Sequence, residues 1–390
     1  MNKASLNIGL FIDTWYPMVD GVITVVDNYA KLLSAMGHTV TVFCPNVGVS
    51  EAKRDYRVVK CKSMKLLGLD YSLPLPNLDK KFKKKIKESN LDIIHIHSPF
   101  FVGKIGAKFA KKDKIPLVST FHSQFKKDFY KATKSRVLTN ILLSSIVRIF
   151  NASDLLLTMN SACADLIKEY GYKGNIQLLP NGTNLSDKLD ITNEIENIKH
   201  KYNLTDEKIL ISVGRLVKLK NLDFTIDVCK FLLDNNFKFK LFIIGDGVDR
   251  NVFEKKVKSL KLQNNIIFTG KIYDTKTKSA FFKISDLHIF PSQYDTDGIV
   301  KIESAGFNTP TIFTSESLAS SSCTDKIDGY IEDCDIEKFG RKILEIFSDK
   351  NSFEMVQKNC KKNLYMTWEK IVDKLESIYY SLIKKEEKND

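Results

Sequence analysis

The chain has 390 residues, and its 60 Lys and Arg against 47 Asp and Glu give a formal net charge of +13. This length favours two domains, because a single hydrophobic core rarely grows beyond about 250–300 residues. The seven cysteines are scattered without C-x-x-C spacing, which is typical of free thiols in a reducing compartment. The chain opens without the apolar segment of a signal peptide, and Asn140 and Arg148 interrupt its longest apolar stretch. We therefore expect a cytoplasmic protein without a transmembrane helix.

Short apolar strands alternate with amphipathic helices along both halves, which predicts parallel β-α-β units. In chain order the strands of the first half are LNIGLFID, HTVTVFCP, VVKCKSM, DIIHIH, PLVSTFH and DLLLTM, with helices near 21–37, 78–89, 102–112 and 134–150. The strands of the second half are KILISVGR, KFKLFIIGD, NIIFTG, DLHIFPS and TPTIFTS. Two doubly wound sheets follow, and we expect ligands beyond the carboxyl ends of their strands, in a cleft that both sheets face.

The domain boundaries follow from composition. Residues 1–186 form the predicted first domain and 208–360 the second, and the polar segment 187–207 is predicted as the linker. Residues 364–385 have apolar side chains at helical spacing and predict an amphipathic C-terminal helix that completes the first domain.

The excess positive charge lies in the first half, where residues 1–186 contain 27 Lys and Arg against 14 Asp and Glu, a difference of +13. The basic residues concentrate in 79–89 and 104–136. Aromatic residues are interleaved with the second group, namely Phe100, Phe101, Phe109, Phe121, Phe125, Phe129 and Tyr130. A basic, aromatic surface favours an anionic membrane, although nucleic acid could use the same charge. A lysine-rich composition with solvated helix faces is the third interpretation.

Two acidic residues mark the segment FPSQYDTDGIVKIESAG. The pattern places Asp295 in a loop after a strand and Glu303 one turn into a helix that begins near Ile299, just after Gly298. The backbone N–H groups of Ile299 and Val300 then lie at the helix start, where they favour an anion. This arrangement suits a phosphorylated, hydroxyl-rich ligand, and the alternative is a capped helix with two solvated acids.

Further polar residues follow predicted strands. Arg215 and Lys220 lie five residues apart after KILISVGR, a pairing of cations that suits two phosphates. Gly21 lies at a strand-to-helix turn, where glycine lets the backbone approach a phosphate.

Three histidines also follow strands of the first half. His122 comes directly after PLVSTF and is expected to face the cleft. His95 and His97 have a spacing that could suit two metal ligands, but no cysteine or acidic partner stands nearby, so we interpret them as structural.

These motifs, in this order, resemble glycosyltransferase family 4. The segment from Asp295 to Glu303 resembles its E-x7-E motif, with Asp295 in place of glutamate and Thr296–Asp297 in place of Gly–Phe. GRLVKLK resembles its G-R-L-x-x-x-K segment, and FIIGDGVDR its I-x-G-x-G-P-x-R turn. The opening DTWYPMVDGV is similar to the opening motif of the subgroup that holds diacylglycerol glucosyltransferases. One departure is that ESLASSSCTD replaces the usual Gly-Gly turn after TPTIFTS.

The resemblance implies a GT-B fold, in which two Rossmann-like domains face each other across a cleft and a C-terminal helix returns to the first domain. It assigns the donor diphosphate to Arg215 and Lys220, the ribose to Glu303, and the transferred sugar to Asp295 and His122. Further donor contacts are implied at Gly21, Gly245, Ile272, Gly298, Ile299 and Val300.

The resemblance further implies a retaining hexosyltransferase that moves a sugar from a nucleotide-sugar, with a UDP-sugar favoured, to a membrane lipid such as diacylglycerol. It implies no metal or other cofactor, and no nucleic-acid partner is expected. The protein would associate peripherally with the inner face of the membrane. The alternatives are a family 4 enzyme of capsule, lipopolysaccharide or polysaccharide synthesis, a nucleic-acid-binding protein, and a non-catalytic relative. The short side chain of Asp295 and the missing Gly-Gly turn leave the identity of the transferred sugar open.

Overall fold

A computed structural model gives the structure of the protein and describes residues 4–18, 20–48, 53–65 and 72–386. The chain forms two compact units. Unit 1 comprises Met1–Asn181 and Trp368–Asp390, and unit 2 comprises Gly182–Thr367. None of the helices in the described ranges is long and apolar enough to span a bilayer.

Strands and helices alternate along most of the chain. The strands are β1 (Asn7–Phe11), β2 (Thr39–Pro45), β3 (Arg57–Cys61), β4 (Ser63–Lys65), β5 (Ser72–Pro74), β6 (Ile93–Ile96), β7 (Leu117–Thr120), β8 (Leu155–Thr158), β9 (Ile176–Leu178), β10 (Lys208–Val213), β11 (Phe239–Ile244), β12 (Ile266–Gly270), β13 (Leu287–Phe290), β14 (Thr311–Thr314) and β15 (Tyr330–Glu332). The helices are α1 (Gly21–Ala35), α2 (Lys80–Glu88), α3 (Phe101–Asp113), α4 (Phe125–Thr133), α5 (Arg136–Phe150), α6 (Ser161–Glu169), α7 (Thr192–Tyr202), α8 (Leu222–Asp234), α9 (Arg250–Ser259), α10 (Thr275–Ile284), α11 (Ile299–Ala305), α12 (Ile336–Ser348), α13 (Lys350–Leu364) and α14 (Trp368–Glu386).

Unit 1 is built on a parallel sheet with the strand order β3-β2-β1-β6-β7-β8-β9. Its central strands β1, β6, β7 and β8 are almost wholly buried, as expected when helices cover both faces of a parallel sheet, and the edge strand β9 is largely exposed. The strand order reverses between β1 and β6, which pair in parallel. In doubly wound sheets the crevice at such a reversal is the usual ligand site, so the residues that follow β1 and β6 are placed for binding.

The C-terminal helix α14 packs on unit 1, as the sequence predicts. Its apolar stripe is buried, including Trp368 and Tyr379. The Trp368 ring meets Tyr29 of α1 edge-on, with ring centroids 6.0 Å apart. On the same helix, Glu376 Oε1 lies 3.1 Å from His38 Nε2, and both side chains are buried. Aromatic packing therefore joins α14 to α1, and a buried polar pair joins it to the turn between α1 and β2.

Unit 2 is built on a second parallel sheet, with the order β12-β11-β10-β13-β14-β15. Its strand order reverses between β10 and β13, which also pair in parallel. The loops after these two strands, 214–221 and 291–298, carry Arg215, Lys220, Asp295 and Gly298, and Glu303 lies on the helix that follows the second loop.

The segment 187–207, predicted as a linker, contains α7 and lies within unit 2. Ile191 and Ile198 are buried, and Ile195 and Tyr202 pack against the same core cluster. These four side chains recur at helical spacing, a signal that the polar surroundings conceal. The structure places the boundary between the units earlier, after Asn181.

Candidate active site

The loop and helix that follow β13 position the two acids of the motif. Asp295 lies in the loop and Glu303 lies one turn into α11, as the sequence predicts. Each acid has one carboxylate oxygen held by a lysine and the other oxygen buried, without a hydrogen-bond partner among the described residues. A buried carboxylate oxygen in this state is an acceptor suited to a ligand hydroxyl.

The lysine partner of Asp295 is Lys220, whose ammonium donates to Asp295 Oδ1. Sequence reasoning gave these two residues separate roles, but the structure joins them in one partly buried ion pair. Arg215 lies on the same loop as Lys220, its side chain is exposed, and no carboxylate of the described residues pairs with it. Arg215 therefore presents an uncompensated positive charge at the carboxyl end of β10.

Sequence reasoning missed the lysine that holds Glu303. Lys278 on α10 donates to Glu303 Oε1 at 2.7 Å. No local spacing reveals this pair, because the two residues belong to different helices and are 25 positions apart. The pairing holds the carboxylate in one orientation and leaves Glu303 Oε2 as the open acceptor.

Two glycines of the predicted site have conformations that require glycine. Gly298 has φ +76°, and a Cβ there would lie 2.6 Å from the ring of Phe290. Gly245 has φ +142°, and a Cβ would lie 1.9 Å from the carbonyl oxygen of Gly214. Both residues let the backbone turn sharply where strands end. Packing alone accounts for glycine at these positions, and their donor contacts stay predictions.

The remaining predicted donor residues of unit 2 follow the carboxyl ends of strands, as the two acids do. Ile272 follows β12, and its side chain packs against the core. A contact of Ile272 with the donor would therefore have to come from its backbone. Ile299 and Val300 form the first positions of α11, whose N-cap Gly298 supplies no side-chain hydrogen bond.

A buried ion pair occupies the part of the motif that departs most from the family pattern. Lys301 on α11 donates to the carboxylate of Asp297, and both side chains are 3% exposed. The same ammonium donates to the carbonyl oxygen of Ala319 at 3.3 Å and to Ser322 Oγ. Ala319 and Ser322 lie on a 3₁₀ turn (Leu318–Ser322) that follows β14. The only signal in the sequence is the four-residue spacing of Asp297 and Lys301.

In unit 1, His122 joins a row of buried histidines. His122 Nε2 lies 3.1 Å from His97 Nδ1, and the two rings stack with centroids 5.4 Å apart. His95 bonds through Nδ1 to Tyr379 and through Nε2 to Thr120, each at 2.7 Å. Burial lowers the pKa of His95 and His97 well below the usual range, so both rings are neutral. The structural interpretation of His95 therefore fits its contacts, and His97 supports the ring of His122.

Gly21 begins α1, and a Cβ at this position would meet nothing within 4 Å. No described residue therefore demands glycine there, which distinguishes Gly21 from Gly245 and Gly298. Close by in the chain, sequence reasoning missed Asp13, whose Oδ1 accepts from the N–H of Val102 at 2.6 Å. Burial raises the pKa of Asp13 to about 7, against the backbone hydrogen bonds that it accepts at the start of α3.

Of the seven interleaved aromatic residues of 100–130, only Phe101 and Tyr130 are exposed, at 44% and 47%, and the others do not form the surface that the sequence suggests. Phe121 and Phe125 are buried. Phe125 stacks on Phe129 and meets Phe100 edge-on, with ring centroids 6.2 and 5.7 Å apart. The rings pack inward because α3, α4 and α5 need an apolar interior, and the lysines between them point outward.

A group of four exposed apolar side chains lies on the first two turns of α5. These are Val137, Leu138, Ile141 and Leu142, which are 40–69% exposed. Five exposed cations precede or border them, namely Lys126, Lys127, Lys131, Lys134 and Arg136. We call these nine residues the α5 surface. By contrast, the basic helix α2 buries its apolar residues Phe82 and Ile86 and offers charge alone.

Among the residues that the structure describes, no group of three or more His, Cys, Asp or Glu side chains is arranged to hold a metal ion.

Comparison with known proteins places the chain in a family. The model for Glycosyltransferase Family 4 matches residues 19–187, and the model for Glycosyl transferases group 1 matches residues 194–363. An alpha-monoglucosyldiacylglycerol synthase of Streptococcus pneumoniae is 27% identical over 330 residues, which cover 83% of this chain and 74% of that protein.

Solved structures share the fold. Sucrose-phosphate synthase of Thermosynechococcus elongatus is 19% identical and has a TM-score of 0.80, with 97% of this chain and 99% of that one covered. The Anabaena protein HepE in complex with UDP-glucose is 14% identical, with a TM-score of 0.73 and 96% and 99% covered. The predicted GT-B fold is thereby confirmed. The two family models together span most of the chain, and the protein is a glycosyltransferase that belongs to glycosyltransferase family 4.

Proposed function

We propose that the protein transfers a sugar from a UDP-sugar to a membrane lipid of the diacylglycerol class, with retention of the anomeric configuration. The observation that carries the donor half is the pair of acids after β13. Asp295 and Glu303 each offer one buried, unpartnered carboxylate oxygen at the carboxyl end of a strand. Two such acceptors suit one hydroxyl of the nucleotide ribose and one of the transferred sugar.

The cations of unit 2 suit the diphosphate between those two groups. Arg215 is exposed, and Lys220 lies beside Asp295. Positive charge fixed near a departing diphosphate stabilises the charge that develops in the transition state, which is usually the largest catalytic effect. The similarity in fold to HepE, solved with UDP-glucose, supports a UDP-sugar donor.

The chemistry that we propose requires no metal ion. The acceptor hydroxyl attacks the anomeric carbon on the face from which the diphosphate leaves. The bond from the anomeric carbon to the phosphate oxygen breaks, the bond to the acceptor oxygen forms, and the acceptor proton passes to the departing phosphate. The role of the protein is to hold the donor and to neutralise the diphosphate, so activity should persist in an excess of chelator.

The α5 surface supports a lipid acceptor. Its apolar side chains would enter the boundary between lipid headgroups and chains, and its five cations would lie near anionic headgroups, at about 1 kcal/mol for each. The resemblance in sequence to a synthase of a glucosylated diacylglycerol points to the same class of acceptor.

A donor and acceptor panel tests the proposal. UDP-glucose, UDP-galactose, UDP-N-acetylglucosamine and GDP-mannose would each be assayed with vesicles that contain diacylglycerol and anionic lipid, and the products identified by mass. We expect a glycosylated diacylglycerol from a UDP-sugar. Transfer to an oligosaccharide but to no lipid would favour the polysaccharide alternative, and no turnover with any donor would contradict the proposal.

Vesicle sedimentation tests the α5 surface directly. The double variant Leu138→Ser and Ile141→Ser should lose binding to anionic vesicles, while its melting temperature stays near that of the wild type, because both side chains are exposed. Met355→Ser is the matched control, since Met355 is 50% exposed on α13 of unit 2. Binding to duplex DNA that exceeds binding to anionic vesicles would contradict the membrane assignment.

A further inference from the structure

Two of the positions at which this chain departs from the family pattern contact the same lysine. Asp297 stands where the family has phenylalanine, and the 3₁₀ turn Leu318–Ser322 stands where a Gly-Gly turn is usual. Lys301 joins them, since its ammonium donates to Asp297 on one side and to Ala319 and Ser322 on the other. Two changes that are far apart in the sequence therefore form one structural feature.

The contacts of Lys301 leave its ammonium group little freedom to move. An ammonium has three N–H donors, and Lys301 has three acceptors: a carboxylate, a carbonyl and a hydroxyl. The charges are almost wholly removed from water, so each needs the other as a partner. Ala319 packs with Phe290 and Phe313 in a small apolar cluster, which fixes the 3₁₀ turn against the ends of β13 and β14.

Asp295 lies two residues before Asp297, in the same loop. Its Oδ1 is held by Lys220 and its Oδ2 is buried without a partner among the described residues. The direction of Oδ2 therefore depends on how the loop is held, and Lys301 ties this loop to the wall formed by the 3₁₀ turn. An aspartate is one methylene shorter than the usual glutamate. Displacement of the loop would therefore move Asp295 Oδ2 beyond hydrogen-bonding distance of the sugar.

We propose that Lys301 is a positioning residue which, through Asp297 and Ser322, sets the selectivity of the site for the sugar of the donor. This inference rests on the proposed function, in which Asp295 contacts the transferred sugar. It predicts that loss of Lys301 removes the part of the affinity that the sugar supplies and spares the part that UDP supplies, because the described hydrogen-bond partners of Lys301 do not include Arg215 or Glu303.

The variants separate positioning from stability. Lys301→Met removes the cation that pairs with the buried Asp297 carboxylate and should lower the melting temperature. The double variant Asp297→Leu and Lys301→Met replaces the ion pair by apolar side chains and should restore much of that stability. Lys256→Met is the matched control, because Lys256 also donates to one carboxylate (Asp227, 2.7 Å) and one carbonyl (Asp223, 2.9 Å), but between α8 and α9.

The measurement is the ratio of the Kd for UDP to the Kd for each UDP-sugar, by titration calorimetry on the full chain. We expect the double variant to keep its Kd for UDP within about twofold and to lose at least tenfold in the preference among UDP-glucose, UDP-galactose and UDP-N-acetylglucosamine, while Lys256→Met changes neither. Unchanged preference in a folded double variant would overturn the inference. If the wild type binds no UDP-sugar, the proposed donor itself fails, which is a distinct result.

Discussion

Replacement of Glu303 by glutamine tests the assignment of the ribose. Glu303 Oε2 is the open acceptor, and Lys278 holds Oε1 at 2.7 Å. A hydrogen bond to a charged group contributes about 1.5–3 kcal/mol and a neutral one about 1 kcal/mol. Glu303→Gln keeps the shape but removes the charge, so it should cost about 0.5–2 kcal/mol of UDP affinity, which is roughly 2- to 30-fold in Kd.

The control for this variant is Glu207→Gln. The Glu207 side chain is 11% exposed, as is that of Glu303, and it also pairs with a lysine, Lys240, at 3.5 Å. Unlike Glu303, it has no open oxygen on the side away from the lysine, because Oε2 accepts from the N–H and the hydroxyl of Thr205 at 3.0 and 2.6 Å. Glu207 also precedes β10 and so lies at the amino end of the sheet, away from the expected ligand.

Both variants should lose similar amounts of stability, but only Glu303→Gln should weaken UDP binding, as measured by titration calorimetry at fixed ionic strength. Equal UDP affinity in the two variants and the wild type would refute the ribose assignment. Equal weakening in both would show that loss of a buried charge in unit 2, rather than loss of a contact, lowers the affinity.

Three further predictions concern stability. Trp368→Ala should cost about 3–5 kcal/mol of unfolding free energy in urea titrations, because the side chain is 1% exposed, and a loss below 1 kcal/mol would show that α14 contributes little to unit 1. Gly298→Ala should cost about 1–2 kcal/mol from its positive φ alone, and more if Phe290 cannot move; an unchanged melting temperature would contradict the turn described above. Burial lowers the pKa of His288 from 6.5 to about 3. Between these two pH values His288 is therefore protonated in the unfolded chain and neutral in the folded chain. Stability should therefore fall by about 1.4 kcal/mol per pH unit as the pH drops from about 6.5 towards 3, and His288→Gln should reduce this slope by one proton; an identical slope in the variant would exclude His288 as its source.

The α5 surface contains exposed apolar residues that the sequence analysis did not single out. The basic charge of 104–136 is exposed, as predicted, because lysines remain in water wherever a helix lies. The phenylalanines among them are buried or partly buried, whereas Val137 and Ile141 are exposed. Composition could not separate the two sets, because an apolar residue faces the core or the solvent according to which neighbouring helix covers it.

The sequence by itself determined the alternation of strands and helices and the positions of Asp295 and Glu303 relative to a strand end and a helix start. These features depend on periodicity and turn residues within about ten positions of each other. Only the tertiary structure decided the partners of the two acids, since Lys220 lies 75 positions from Asp295 and Lys278 lies 25 positions from Glu303. It also decided that Lys301 joins the loop of Asp295 to the turn after β14. Such pairs form because parallel strands bring their carboxyl ends to one edge of a sheet, where side chains distant in the chain become neighbours.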